Sequence, residues 1–185
     1  MMMKKCRYIS MLTLSALICL TAQAEPVLAK DHSAGAAKIQ ALNDQLVAAN
    51  EARDLPAALQ AAEKAVQVAK EEYGKDSLEA ADTMNNLANL YLYLKRASEA
   101  EQLYKLAVLI DLKKLDKEGV EMAAIYFNLG VAYAMQKKYT AAIDILNKAL
   151  NIRLKKIGPD SAETKNVEQM IEELKKLAYP NEVKI

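Results

Sequence analysis

The sequence predicts an all-α protein, a solenoid of about three stacked helix hairpins closed by a single C-terminal helix. Three observations predict it. From about Ala34 onward apolar residues recur at three- and four-residue spacing, rich in alanine and leucine, while the 185 residues hold only 5 Gly and 4 Pro. That is the period and composition of amphipathic helices. The stretch NNLANLYLYLKRASEAEQLYKLAV, from Asn85 to Val108, returns forty-two positions later as FNLGVAYAMQKKYTAAIDILNKAL, from Phe127 to Leu150. The glycine stops Gly74 and Gly158 are separated by twice that offset. A unit of this length is a helix hairpin that cannot bury its apolar face alone, and stacking neighbours makes the core continuous. An ordinary bundle would not need matched residues at one offset.

The elements follow in order. A polar lead over 25–33, with Pro26 and His32, shows no periodicity, and His32 reads as a solvated residue. A first helix spans 34–53. Asp54-Leu55-Pro56 interrupts it and starts the second, 55–73, with Asp54 as N-cap and Pro56 in the first turn. Gly74 ends that helix, and Asp76 or Ser77 caps a third over 77–95. Ser98 and Glu101 read as a capping box for the fourth, 97–116. Gly119 is a further stop, followed by helices over 119–136 and 139–157. Gly158 and Pro159 terminate the sixth, and Asp160 with Glu163 cap the last, 160–178. The repeats then occupy 34–76, 77–118 and 119–160, with a capping helix over 161–178 and a tail over 179–185.

Residues 1–24 stand apart from the fold. Lys4, Lys5 and Arg7 precede the apolar run Tyr8 to Leu20, and Ala22-Gln23-Ala24 supplies a small-x-small cleavage site. This is the layout of a secretory signal peptide, of bacterial style, and the run is too short for a spanning helix. Export to the periplasm, or secretion, is the expectation. A lipoprotein acylated at Cys19 is the lesser reading, because Ile18 occupies the place where a small residue is favoured. Cleavage after Ala24 removes both cysteines and leaves residues 25–185, enough for one core without disulfides. It also takes Lys4, Lys5 and Arg7 from the 25 basic residues and leaves all 24 acidic ones, so the mature chain is slightly acidic. That balance offers no electrostatic footprint for nucleic acid.

The repeated residues resemble the tetratricopeptide repeats. One copy reads Met84, Leu87-Ala88, Tyr91, Ala100, Tyr104, Ala107; the next reads Tyr126, Leu129-Gly130, Tyr133, Ala142, Leu146, Ala149. Asn86 and Asn128 precede the Leu as is common in that family. The small residues lie where two helices cross closely, and the leucines and tyrosines fill the space between turns. The unit is longer than the family's usual repeat, by about one extra turn per helix, and is similar to the long repeats of kinesin light chain. The resemblance implies a right-handed α-solenoid whose first helices line a concave groove that holds a peptide or protein partner. The first copy, with Gln45, Leu46 and Ala49, and the last helix, with Glu172 and Lys175, depart from the pattern as terminal units do.

Carried over by position, the groove presents Asn43 from the first repeat, and Asp82, Asn85, Asn89, Leu92 and Tyr93 from the second. Phe127, Val131 and Met135 follow from the third. Asn amides can hold an extended backbone through both donors and acceptors, and the apolar side chains can take those of a partner. The lysines and arginines by which some relatives clamp a C-terminal carboxylate are absent from these positions. A single histidine and no cysteine in the mature chain leave no material for a zinc site or a Cys-His nucleophile. No glycine-rich phosphate loop is present, so no cofactor and no enzymatic activity are expected. A protein or peptide partner, no nucleic acid, no membrane span, and the option of a homo-oligomer complete the expectation. The competing function is a self-associating component of an envelope assembly with no groove ligand.

Overall fold

A computed structural model describes residues 32–114 and 119–180 of the chain. The expected signal peptide with Cys19, most of the polar lead and the end of the tail lie outside the described residues. Seven helices run through the described residues: α1 (Ser33–Glu51), α2 (Leu55–Glu72), α3 (Leu78–Tyr93), α4 (Ala97–Lys114), α5 (Val120–Met135), α6 (Tyr139–Lys156) and α7 (Ala162–Ala178). Each packs chiefly on its neighbours in sequence, so α1–α2, α3–α4 and α5–α6 are hairpins stacked in a row and α7 closes the row. This is the α-solenoid that the repeat offset predicts.

The backbone repeats as faithfully as the side chains. Arg53, Lys95 and Lys137 share one repeat position, and their φ angles are 56°, 62° and 60°. Each follows the first helix of a hairpin and makes the same pair of bonds. Asp54, Arg96 and Lys138 donate N–H to the carbonyls of Ala49, Tyr91 and Tyr133, while Arg53, Lys95 and Lys137 donate to Asn50, Leu92 and Ala134. This six-to-one and five-to-two closure satisfies the last carbonyls of the helix and turns the chain back. A side chain with a Cβ is strained there, because the left-handed region favours glycine. Lys137→Gly is therefore expected to raise stability by about 0.5–1 kcal/mol, read as a higher urea midpoint with an unchanged slope. Lys137→Val should move it the other way.

Starts of helices are set by side chains. Asp54 Oδ1 accepts from Ala57 N at 3.1 Å, Ser77 Oγ from Ala80 N at 3.0 Å, and Ser161 Oγ from Thr164 N at 3.0 Å. Three expectations need correction here. The last helix is capped by Ser161 rather than by Asp160 with Glu163. Ser98 is already inside α4, and Glu101 does not reach back to a cap. Its carboxylate instead takes Lys105 of its own helix, Gln136 Nε2 at 2.7 Å and Lys138 Nζ at 2.7 Å. Gly119, expected as a stop, stands at the N-cap of α5 with φ of −70°. Lys137 and Lys138 lie in the turn between α5 and α6, and Lys138 is drawn to Glu101.

Packing carries the register inward. Ala58, Ala100 and Ala142 share one repeat position and Ala65, Ala107 and Ala149 another; all six are buried to 2% exposure or less. One cluster joins Ala58, Ala62, Val66 and Ala69 of α2 to Met84, Leu87 and Leu90 of α3. A second joins Ala88, Ala100 and Tyr104 to Leu129 and Ala132 of α5, and a third joins Ala142, Ile143 and Leu146 to Val167, Ile171 and Leu174 of α7. At the first end of the row, Gln45 and Ala48 occupy the positions that Leu87 and Leu90 fill one repeat later. Smaller and more polar residues there leave α1 fit to face water rather than a further hairpin. His32, expected to be solvated, stacks on Tyr73 with ring centroids 4.6 Å apart, and its carbonyl accepts from Tyr73 Oη at 2.8 Å. Those contacts, with Gly35 close against Glu72 and Tyr73, tie the start of α1 to the end of α2.

Candidate protein-binding groove

First helices of successive hairpins present one face each to the same side of the stack. Between α1 and α3 that side holds a concavity of about 410 Å³ lined by Leu46, Asn50, Asn86, Asn89, Leu90 and Tyr93. The polar lining is made of Asn amides, which donate and accept, and the apolar lining of Leu and an aromatic ring. A somewhat larger hollow, about 480 Å³, lies on the outer face of α1–α2 among Leu42, Gln45, Ala48, Ala57, Gln60, Ala61 and Lys64. Its size reflects the small residues of the end unit noted above. The groove between α1 and α3 has the side chains that can grip.

The nine residues expected in the groove meet different fates. Asn89 and Tyr93 line it, and Tyr93 is 65% exposed. Asn89 is not wholly available, because its Oδ1 accepts from Tyr104 Oη at 2.5 Å. Burial pushes the Tyr104 hydroxyl well above the usual tyrosine range, so it stays a donor. Asn89→Ala would thus strand a buried hydroxyl as well as remove a groove amide. Asn43 is half-buried on α1 and Val131 half-buried on α5. Met135, at the end of α5, is 38% exposed.

Leu92 and Phe127 are half-buried. Leu92 packs against the cluster of Ala88, Tyr104 and Leu129. Phe127 packs against two clusters, around Met122 and around Ala142, with the Arg153 guanidinium 5.2 Å from its ring centroid. Both pack on the core with part of the side chain left open. The spacing of three and four placed them on the right side of the helix. It did not distinguish the open face from the flank covered by the neighbouring hairpin.

Asp82 and Asn85 sit one helical turn apart in the first half of α3. Burial, then the charge of Glu79, raises the Asp82 carboxyl above its ordinary range. Asn85 Oδ1 is buried with no hydrogen-bond partner. Across the hairpin on α4, Asp111 is 1% exposed and neither of its oxygens has a partner. Burial, reinforced by the charge of Asp82, pushes its carboxyl up to about 6. No group of three His, Cys, Asp or Glu suited to a metal ion occurs among the described residues.

Sequence reasoning missed Leu46 and Leu90 of the groove lining, and with them Asn86, Asp111 and Leu177. Asn86 reads in sequence only as a repeat marker, and Asp111 carries no signal of its own. Leu177, 57% exposed on α7, stands one repeat after Met135 and two after Tyr93. Tyr93, Met135 and Leu177 are therefore one repeat position, apolar and open in each of three successive first helices. The register alone could have found Leu177; the polar composition of α7 hid it.

Comparison with known proteins agrees with this geometry. Residues 40–113 and 99–155 match the model of the tetratricopeptide repeat. No curated protein matches the chain in sequence. Among solved structures it is similar to BtubC (BKLC) from P. vanneervenii, at 23% identity and a TM-score of 0.66 over 72% of this chain and 53% of that one. It is also similar to a putative kinesin light chain with nearly identical TPR-like repeats from Podosopora anserina, at 16% identity and a TM-score of 0.70, covering 76% and 66%. The TPR2B domain of yeast Sti1, in its pHsp70 complex, gives 18% identity and a TM-score of 0.56 over 75% of this chain and 97% of the domain. The chain thus spans less than two thirds of the first two relatives, and at these identities the likeness is one of fold. No helix among the described residues is long and apolar enough to cross a membrane. With the matched segments covering well over half of its length, the chain belongs to the tetratricopeptide repeat family, whose members are typically non-catalytic protein–protein interaction modules.

Proposed function

We propose that the chain is an exported adaptor that holds an extended segment of a partner protein in the groove lined by its first helices. The observation that carries this reading is the concavity between α1 and α3, where Asn50, Asn86 and Asn89 surround an exposed Tyr93. Amides grip a peptide backbone whatever its sequence, and an exposed aromatic on a rigid helix is a natural anchor. Met135 and Leu177 extend the apolar row from that anchor toward the C-terminal end. The likeness to a TPR domain complexed with pHsp70 supports a peptide or protein ligand, although the groove positions here carry Asn and apolar residues rather than a cationic clamp. Export rests on the positive start, the apolar run and the Ala22–Ala24 site, and amino-terminal sequencing of the envelope protein should begin at Glu25.

The groove is tested by selecting linear peptides from a displayed random library against the purified chain. Asn50→Ala combined with Tyr93→Ser should weaken the selected peptides by at least about tenfold. Both side chains are exposed and off the core, so the melting temperature should stay within about 2 °C of the parent. Peptides that bind the double variant equally well would place the interface elsewhere.

A further inference from the structure

The unpartnered acceptors in the first half of α3 and on α4 point to the chemistry of the ligand. Asp111 is fully enclosed with both oxygens unpartnered, and Asn85 Oδ1 is enclosed and unpartnered as well. Asp82 stands one turn from Asn85 on the same face of α3, close enough for its charge to act on Asp111. The lysines nearest along the chain, Lys113 and Lys114, are exposed in the last turn of α4, and neither supplies the missing donor. Two carboxylates and an amide thus stand together, and neither oxygen of Asp111 nor Oδ1 of Asn85 has a partner among the described residues.

The next repeat shows what this place in the hairpin accommodates. Phe127 and Arg153 stand one repeat after Asn85 and Asp111, and their side chains meet, with the guanidinium over the ring. The first-helix and second-helix positions therefore face each other across the hairpin. In α5–α6 the chain fills that place with a cation of its own. In α3–α4 it places two carboxylates and an amide there, with no cation of its own set against them among the described residues. A buried carboxylate without a donor works against folding, and such groups persist where a ligand completes them.

We propose that Asp82, Asn85 and Asp111 form a subsite for a basic side chain of the partner, a guanidinium or ammonium group that enters beside α3. The proposal rests on the groove reading and adds to it the charge of one ligand residue. An arginine or lysine head group brings several N–H donors, which match two carboxylates and an amide oxygen. It also balances the two negative charges that now repel each other. Asp82 is exposed and offers the first contact, and Asp111 offers the enclosed one.

Two experiments decide the matter. In the first, N-acetyl-arginine amide and its neutral isostere N-acetyl-citrulline amide are titrated into the isotopically labelled chain and followed by NMR. The arginine compound should shift the Asn85 side-chain amide and the carboxyl carbons of Asp82 and Asp111 saturably, the citrulline compound should not, and Asp111→Asn should weaken the response by at least about tenfold. Equal responses to both compounds, no response to either, or a response indifferent to Asp111→Asn would overturn the subsite. In the second, peptides are selected on the parent chain and on Asp111→Asn in parallel, with Asp82→Asn as a further variant and circular dichroism as the check on folding. A Lys or Arg preference at one peptide position, present on the parent and lost on the variants, supports the proposal. Peptides chosen without that preference overturn it while leaving the groove intact. A failure to select any peptide counts against the groove itself, and the arginine titration still decides the subsite.

Discussion

Gly130→Leu should lower the stability of the domain by about 3 kcal/mol or more. Gly130 lies on α5 where it meets α6, and the contact leaves no room for a side chain. A Cβ built on it would come within 2.6 Å of Leu146 Cγ and 2.7 Å of Leu146 Cδ2. Leu146 is itself fully buried, held among Ala142, Val167 and Ile171, so it has nowhere to move without disturbing the packing of α7. A leucine would therefore push α5 and α6 apart and loosen the capping helix with them. Gly130→Ala sets two effects against each other. Alanine gains about 1 kcal/mol over glycine in a helix interior, while Leu146 must still yield. The informative measurement is a double-mutant cycle with Leu146→Ala, followed by urea denaturation. The clash disappears when both side chains are small, so the pair should be less destabilised than the sum of the two by at least about 1 kcal/mol. Strict additivity would mean that the crossing is wider than the structure shows.

This crossing was legible in the sequence because Gly130 stands where Ala88 stands one repeat earlier, in a pattern whose small residues have a steric reason. The hairpin turns were legible for the same kind of reason: helix stops and caps are local chemistry, as Asp54, Ser77 and Gly74 illustrate. What could not be read were contacts set by the fold rather than by neighbours. Ser98 and Glu101 have the spacing of a capping box, yet Glu101 is claimed by Gln136 and Lys138 from the next hairpin. Leu92 and Phe127 have groove spacing, yet in a stack each first helix is covered on its flank, and periodicity within one helix does not say which flank. Asp111 and Asn85 are distant in sequence and ordinary when taken singly. Their meaning appears only when α3 and α4 bring unpartnered acceptors together, and the repeat register then supplies the comparison with Phe127 and Arg153.

Asp111→Asn should stabilise the free protein by about 2 kcal/mol at pH 7.5, a gain that contrasts with the ligand affinity it is expected to lose. The reason is the enclosed charge. With its carboxyl pushed up to about 6 by burial and by Asp82, against an ordinary 3.8, the folded protein holds a proton that the unfolded chain has already released. Below pH 3.8 both states are protonated and the group has no effect. As pH rises from there to about 6, stability falls, and above it the full penalty remains. The difference between Asp111→Asn and the parent should therefore grow across that window and level off beyond it. Glu101 supplies a control of opposite sign. Burial raises its carboxyl, but Lys105, Lys138 and Gln136 together outweigh that and hold it at about 2, against an ordinary 4.5. Its contribution is complete above 4.5 and is lost as pH falls toward 2, so Glu101→Gln should matter at neutral pH and cease to matter in acid. Thermal melts of the three proteins from about pH 2 to 8 read both slopes at once. A flat difference for Asp111→Asn across pH 4 to 6 would mean that the carboxylate finds a donor in solution, and the empty acceptor site, with the basic ligand group inferred from it, would fall together.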